Sequence, residues 1–509
     1  MPAYIPVPVD GALSVLQIFE FQAKTNPQHA LFRYDAPSAQ NGYEEITWPA
    51  AVKMFETTAR VLRRRLGACV VDCKEGRPVV GILAATGSIL YASLIFGAVR
   101  AGLTVFPIST RNSPAAVAHL VAQSGVKYLL VSQDGHMQEL ARKALSLLKE
   151  NEQAHDVGML PIPTYEEVSD AQRGDLAADA LPPLCKIPDE EVLVIAHSSG
   201  STSFPKIVPL THRYMQTIRG TKPMDFSAWV QSSHGSAIFH AMGILSIVRA
   251  AYSGTILAFF PPTTNAVLAT PERLLHSALA TKCSTILCPP MFLEHYAKDP
   301  ASIEKLKTFS RVAFGGGPLT QHVGDVLEKG GVALAPAYGS TETGSIAMMF
   351  TNERHKEGWQ YFQFVPGIDA VFVPVEGDGS QLLFQLIIKT SPTHALALPN
   401  TQIDGVPACD TGDIVQRHPT REDLWRSYGR VDDQIMHSNG EKTNPGPLEQ
   451  ILTQNPLVKS AIMFGRARPH AGVLIVPAEE VRDREAFRGG HLAYGGGSKQ
   501  IRARAFAFV

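Results

Sequence analysis

Val79-Val80-Gly81-Ile82-Leu83-Ala84, then Thr86-Gly87-Ser88, then the run from Ile89 to Val99 decides the fold class. The opening residues have the aliphatic, β-branched composition of a strand buried on both faces. Thr-Gly-Ser punctuates, and the run that follows reads as a core helix. Strand, turn and helix in that order form half of a βαβ unit. No charge occurs between Arg77 and Arg100, which invites a membrane-span reading. The turn in the middle argues against it, because a span needs about 20 apolar residues in one helix.

Outward from this stretch the theme repeats. Ser113 can cap a helix opened by Pro114 and closed by Gly125, and Val126 to Ser132 then reads as a strand. Glu191 to Ala196 reads as a strand entering a Ser/Thr/Gly loop. Ser284 to Cys288 precedes Pro289-Pro290 and a helix from Met291, and Val312-Ala313-Phe314 precedes Gly315-Gly316-Gly317-Pro318. Such alternation predicts parallel sheets flanked by helices. From about Phe362 the texture shifts to short runs, Ala370 to Val375 and Leu382 to Lys389, separated by Gly, Pro and Asp as in a β-rich subdomain. The expected class is therefore α/β. A large N-terminal domain, residues 1–428, holds βα-type subdomains and a β-rich subdomain from about 362. A small α+β C-terminal domain, 429–509, follows with a boundary near Gly429; it is short, with an Arg- and Gly-rich tail from about Val481.

Composition narrows the function classes. Over 509 residues, 46 Lys and Arg balance 47 Asp and Glu, and 45% of residues are hydrophobic against 18% charged. That suits a large packed core and gives no basic footprint for nucleic acid. Arg63-Arg64-Arg65 is a short basic run, expected as a solvated helix end. The six cysteines form no CxxC pair and have no histidine at zinc spacing, so neither a disulfide framework nor a structural metal site is expected. Met1 to Ala23 carries no Lys or Arg and no long apolar stretch. A cytoplasmic protein without a secretory leader or an integral membrane span is the expectation.

The chemistry concentrates in a few segments. His197-Ser198-Ser199-Gly200-Ser201-Thr202-Ser203-Phe204-Pro205-Lys206 follows a buried strand, so backbone amides, hydroxyls and an ammonium can converge on one polyphosphate. It lacks the second glycine and the Lys-Ser/Thr pair of a GxxxxGK[ST] loop, which weighs against a kinase or ATPase acting on the γ-phosphate. Tyr338-Gly339-Ser340-Thr341-Glu342-Thr343-Gly344 offers an aromatic face, hydroxyls and one carboxylate in a single turn. Asp410-Thr411-Gly412-Asp413 offers paired carboxylates, and Tyr428-Gly429-Arg430-Val431-Asp432-Asp433 sets an arginine beside two acids. Taken singly, each is ordinary turn chemistry or a surface ion pair.

In this order and spacing the segments resemble the core motifs of the adenylate-forming superfamily, which includes acyl-CoA synthetases, luciferase-type enzymes and nonribosomal peptide synthetase adenylation domains. The likeness runs to about Pro477, and the wording of His197 to Thr202 and of Arg430 to Pro445 is most similar to fungal synthetase-like adenylation domains. The resemblance implies an AMP-forming ligase: a carboxylic acid and ATP, with Mg²⁺, give an acyl adenylate and pyrophosphate. Transfer to a thiol normally follows, with coenzyme A and a separate phosphopantetheine carrier protein equally open here. No carrier GGxS-type motif joined to a following helical domain and no dinucleotide GxGxxG after a strand is read in the chain.

The family pattern, carried onto this sequence, gives Ser198, Ser199, Gly200, Ser201, Thr202 and Lys206 the β- and γ-phosphates, with Thr202, Lys206, Glu342, Arg430 and Lys499 counted as catalytic. Glu342 would hold Mg²⁺, Thr341 would touch the α-phosphate, and Tyr338 would stack on adenine beside Gly316 and Gly339. Asp413 would accept the ribose hydroxyls, Arg430 would add a ribose contact, and Asp432 would sit at the hinge of the small domain. His240, Gly243, Gly315 and Ala337 would line the acid pocket. These roles fit the physical need, because a carboxylate attacks a tetra-anionic triphosphate only where charge is neutralised and the reactants are aligned.

Three departures from the pattern matter. Ser203 stands where a glycine is usual. His240 stands where amino-acid-activating relatives place an aspartate that pairs with the substrate ammonium, so the expected acid lacks an α-amino group. The C-terminal region is short, and Lys499 in Gly497-Ser498-Lys499-Gln500 resembles the family's adenylation lysine while lying too close to Arg430. The rival expectation is a truncated nucleotide- or acyl-binding relative without full turnover.

Overall fold

The structure is a computed structural model and describes residues 4–67, 76–150, 156–169, 180–198, 204–220, 222, 224–348, 358–375, 383–431, 435–436, 442–443, 445–453, 455–465, 468, 471–479 and 506–508. Two parallel sheets form its body. One runs in the order Gly158–Pro161, Tyr128–Val131, Val79–Leu83, Thr104–Pro107, Val192–His197, Ile207–Thr211. The other runs Leu334–Ala337, Arg311–Gly315, Thr285–Cys288, Val230–Ser232, Ile256–Phe259, Ala30–Asp35, Tyr43–Thr47. Each is parallel except for one edge strand, Ile207–Thr211 and Tyr43–Thr47, which turns back antiparallel on its neighbour.

The deciding stretch folds as its composition requires. Val79–Leu83 lies centrally in its sheet, and helix Ser88–Arg100 is buried at every position from Ile89 to Val99. A helix apolar on all sides needs cover on all sides. Its residues share one core with Val80 and Ile82 of the first sheet, Leu257 and Phe259 of the second, and helix Ala241–Ser253. No helix among the described residues is long and apolar enough to cross a membrane. Helix Pro114–Ser124 has Pro114 in its first turn, the Ser113 side chain accepting from the Ala116 amide at 3.2 Å, and Gly125 left-handed at its end. The basic run departs from expectation. Arg63 donates to the Ala101 carbonyl, and Arg65 donates to the Pro161 carbonyl and to both Glu167 oxygens, so the end of helix Trp48–Leu66 is tied to neighbouring elements.

The β-rich part is antiparallel: Asp369–Pro374, Leu383–Lys389, Val406–Arg417 and Thr401–Ile403 in that order, with Trp425–Arg430 pairing to Val406–Arg417. An aromatic group, Phe364, Phe372, Phe384 and Trp425, fills one side of it, and Phe372 lies parallel to Trp425 at 3.9 Å. Strand Trp425–Arg430 runs through the expected boundary near Gly429 and stops at Arg430. Beyond it, Val458–Phe464 and Gly472–Pro477 pair antiparallel, and helix Pro445–Thr453 contributes Leu448 and Leu452 to a separate small core.

Buried histidines make the fold acid-sensitive. Burial pulls His212 and His394 down to about 4 and His234 to about 3. All three are neutral in the fold, and His212 Nε2 accepts the Val15 amide at 3.3 Å. Below about pH 6.5 the unfolded chain binds protons that the folded chain refuses, so stability falls as pH drops from there toward 4, by about 1.4 kcal/mol per pH unit for each such histidine. The melting temperature is expected to be lower at pH 5 than at pH 7, with a smaller drop in His212→Gln. Equal melting at both pH values in the unsubstituted chain would contradict this.

Candidate active site

The phosphate-type loop and the Tyr338 hairpin follow the carboxyl ends of strands of the parallel sheets, the edge at which open α/β sheets bind ligands, whereas Asp413 and Arg430 lie on the antiparallel sheet. Strand Val192–His197 delivers Ser198, and strand Ile207–Thr211 begins just after Lys206. The Ser198 amide donates to the Lys206 carbonyl at 3.0 Å, which closes the stem of the phosphate-type loop. Lys206 is exposed, and Phe204 stacks on His119 at 5.0 Å, anchoring the descending side. Ser199, Gly200, Ser201, Thr202 and Ser203 lie outside the described residues, as do Asp432 and Lys499.

Tyr338 to Gly344 forms a tight hairpin. Gly339 pairs with Ser345 and Ser340 with Gly344, while the Ser340 and Thr343 side chains exchange hydrogen bonds with each other's amides. A Cβ on Gly339 would fall 2.1 Å from the Gly344 carbonyl oxygen, so a side chain has no room there. Tyr338 stacks on Phe362 with ring centroids 4.8 Å apart and donates its phenol to Asp413 Oδ2 at 2.6 Å. Arg430, opposite Asp413 in the antiparallel register, donates to Oδ1 at 2.9 Å. Burial and the Asp413 charge hold the Tyr338 phenol well above its ordinary range, so it stays a donor. Asp410 is different, because its oxygens accept the Gly412 amide and the Gln385 amide group and thus shape the turn.

Glu342 sits half-buried at the tip of the hairpin, near enough to Tyr214 and Cys409 for its charge to push both their pKa values up, Cys409 to about 12 with burial the larger cause. Its carboxylate makes no hydrogen bond or ion pair with a described residue. Among the described residues no cluster of three or more His, Cys, Asp or Glu could hold a metal alone. A single unpaired carboxylate suits Mg²⁺, which keeps waters and is commonly shared between one or two carboxylates and substrate phosphates.

The acid-pocket candidates gather beside this hairpin. Met242 and Ala337 pack on Leu287, Ala313 and Ala335, and Ala337 is paired with Gly315 across neighbouring strands. Gly315 is required by that approach, since a Cβ would lie 2.7 Å from the Ala337 carbonyl oxygen; Gly243 likewise meets the Ala237 carbonyl at 2.6 Å. Gly316 turns the chain outward at φ +82°, a conformation favouring glycine, into open space. His240 precedes helix Ala241–Ser253, and its ring is solvent-accessible 4.5 Å from Phe239, so it is not a packed core histidine. Desolvation in the cleft, then the charges of His197 and Arg111, pull it down to about 4. His197 is itself turned inward, its Nε2 accepting the Ser109 amide at 3.0 Å.

A family profile described as AMP-binding enzyme matches residues 19–396, and one described as AMP-binding enzyme C-terminal domain matches residues 432–488. The chain belongs to the AMP-binding enzyme family. It is 36% identical over 482 residues to the adenylate-forming reductase Nps10 of Heterobasidion annosum, covering 93% of this chain and 43% of the relative. It is 32% identical over 495 residues to the adenylate-forming reductase Nps11 of Serpula lacrymans, again covering 93% and 43%. The chain thus spans less than half the length of these relatives. Among solved structures, Klebsiella oxytoca NpsA in complex with 3-hydroxyanthranilyl-AMSN shares the fold at TM-score 0.70 and 15% identity, covering 97% of this chain and 95% of that one.

In this AMP-binding enzyme the structure joins Tyr338, Asp413 and Arg430 by hydrogen bonds, sets Glu342 and Asp413 both near Cys409, pairs Gly315 with Ala337, ties Ser198 to Lys206 and sets His240 near His197. Sequence reasoning missed Phe362 behind Tyr338, Arg111 beside His240, and Tyr214 beneath the hairpin. Phe362 and Tyr214 look like core residues in sequence, and only their partners mark them. Gly315→Ala is expected to lower the melting temperature by overpacking, about 1–3 kcal/mol, whereas Gly317→Ala, with no atom within 4 Å of its Cβ, should leave it unchanged. Equal melting of the two variants would contradict the close approach.

Proposed function

We propose that the chain activates a carboxylic acid with ATP, forming an acyl adenylate and releasing pyrophosphate. The observation that carries this reading is the Tyr338–Asp413–Arg430 unit standing beside an unpaired Glu342. One face of Tyr338 is covered by Phe362, which leaves a stacking face for adenine. Asp413, with its oxygens held in place by Tyr338 and Arg430, would accept the ribose hydroxyls. Glu342 would hold Mg²⁺, which supplies charge neutralisation on the phosphates. Ser198 and Lys206 mark both ends of the loop that would enclose the β- and γ-phosphates, with Thr202 among its hydroxyls, and Thr341 would touch the α-phosphate. The chain's own task is alignment: adenine and ribose fixed at one end and triphosphate at the other present the α-phosphorus to a carboxylate in the pocket of His240, Met242 and Ala337.

The pocket favours an acid without an α-amino group. His240 is neutral at working pH and the nearby charges of His197, when protonated, and Arg111 are positive. An ammonium entering there meets no fixed anion among these groups and loses its hydration. The large domain would end after Arg430, with Asp432 as the hinge of the small domain. The acyl group would pass to a thiol, of coenzyme A or of a phosphopantetheine carrier, and Lys499 is retained as the candidate adenylation lysine.

The reaction is read by incubating the protein with ATP, Mg²⁺, a panel of acids and hydroxylamine. Hydroxamate and pyrophosphate are expected in equal amounts, with aryl, 2-oxo or aliphatic acids ahead of α-amino acids. Asp413→Asn should weaken AMP binding roughly 10- to 100-fold, the worth of a hydrogen bond to a charged group, and Glu342→Gln should raise the Mg²⁺ requirement. Release of ADP and orthophosphate, or strongest turnover with a standard amino acid, would contradict the reading.

A further inference from the structure

We infer that Tyr214 is a positioning residue for the Thr341–Glu342 tip, setting the site's hydroxyl and carboxylate from beneath; this rests on the function proposed above. Tyr214 lies in the short helix His212–Gln216 that follows strand Ile207–Thr211, and is fully buried. Its phenol donates to the Thr341 carbonyl at 2.9 Å across 127 positions of sequence. The same oxygen lies under Gly344, where a Cβ would approach it to 3.4 Å. Burial and the Glu342 charge raise its pKa, so it remains a proton donor throughout the working range.

Tyr214 does not act alone. The next carbonyl, Glu342, accepts the Ala397 amide at 2.8 Å. His394, buried and neutral, lies close to the Thr343 backbone. Two consecutive carbonyls, those of Thr341 and Glu342, are thus held by donors from two distant segments, and the hairpin's own bonds hold its neck at Ser340 and Thr343. A peptide run fixed on its carbonyl side has little freedom to turn, so the Thr341 hydroxyl and the Glu342 carboxylate present a fixed geometry. The helix holding Tyr214 also begins directly after the strand entered from Lys206. One short connection therefore links the stem of the phosphate-type loop to the hairpin tip.

Tyr214→Phe removes one hydroxyl and keeps the ring. Amide hydrogen exchange across residues 340–346 is expected to accelerate while residues 311–315 stay unchanged. Acid-dependent ATP–pyrophosphate exchange should fall roughly 10- to 100-fold in kcat, the cost of slight misplacement of reacting groups. Adenosine affinity should stay unchanged, because adenine and ribose are held by Tyr338 and Asp413. A merely structural role would lower the melting temperature without this split between kcat and adenosine binding. Unchanged exchange across 340–346, or adenosine affinity lost together with kcat, overturns the inference. Absence of ATP–pyrophosphate exchange in the unsubstituted protein with every acid would instead overturn the adenylation reading, and the hydrogen-exchange comparison would still decide the role of Tyr214.

Discussion

The Asp413 carboxylate, held between the Tyr338 phenol and the Arg430 guanidinium, is the joint on which the arrangement depends. Tyr338 leaves the edge of a parallel sheet, Asp413 lies mid-strand in the antiparallel sheet, and Arg430 ends the last strand before the C-terminal part. Two architectures and the exit toward a third region therefore meet at one carboxyl group. The bond to Tyr338 at 2.6 Å is part-buried and the ion pair with Arg430 at 2.9 Å is exposed; both are charge-assisted, hence stronger and more directional than neutral hydrogen bonds. Holding this carboxylate in advance removes part of the ordering cost of receiving a nucleoside.

The neighbouring acid, Glu342, is treated in the opposite way. Its backbone is held firmly while its carboxylate has no described partner, so the charge remains available to a cation. One acid held in place by its partners and one without a described partner, near each other, suit a ligand whose ribose needs a fixed acceptor and whose phosphates need a metal. The acid pocket completes the contrast with an apolar wall and a neutral imidazole.

Much of the fold was legible because its signals are local. Val79 to Val99 announced strand, turn and buried helix through composition alone, and Ser113, Pro114 and Gly125 marked helix ends by capping chemistry. Arg63 to Arg65 misled because carbonyl and carboxylate partners from distant segments cannot be seen in a run of like charge. At the site, ordered motifs revealed Tyr338, Glu342, Asp413 and Arg430, and the structure brings them to one place. Tyr214, His394 and Phe362 stayed hidden because their contacts with the site are long-range and follow no spacing in the sequence. Gly243 and Gly315 were read as pocket residues, and their tight backbone approaches give each a packing reason as well.

The account's central claim is that a carboxylate oxygen attacks the α-phosphorus of ATP in this cleft. It is tested most directly by supplying an accepted acid labelled with ¹⁸O in its carboxylate, trapping the acyl group with hydroxylamine, and weighing the released AMP. One ¹⁸O in the AMP phosphate, with unlabelled pyrophosphate, is the predicted result. Unlabelled AMP, or label in orthophosphate released with ADP, would contradict it.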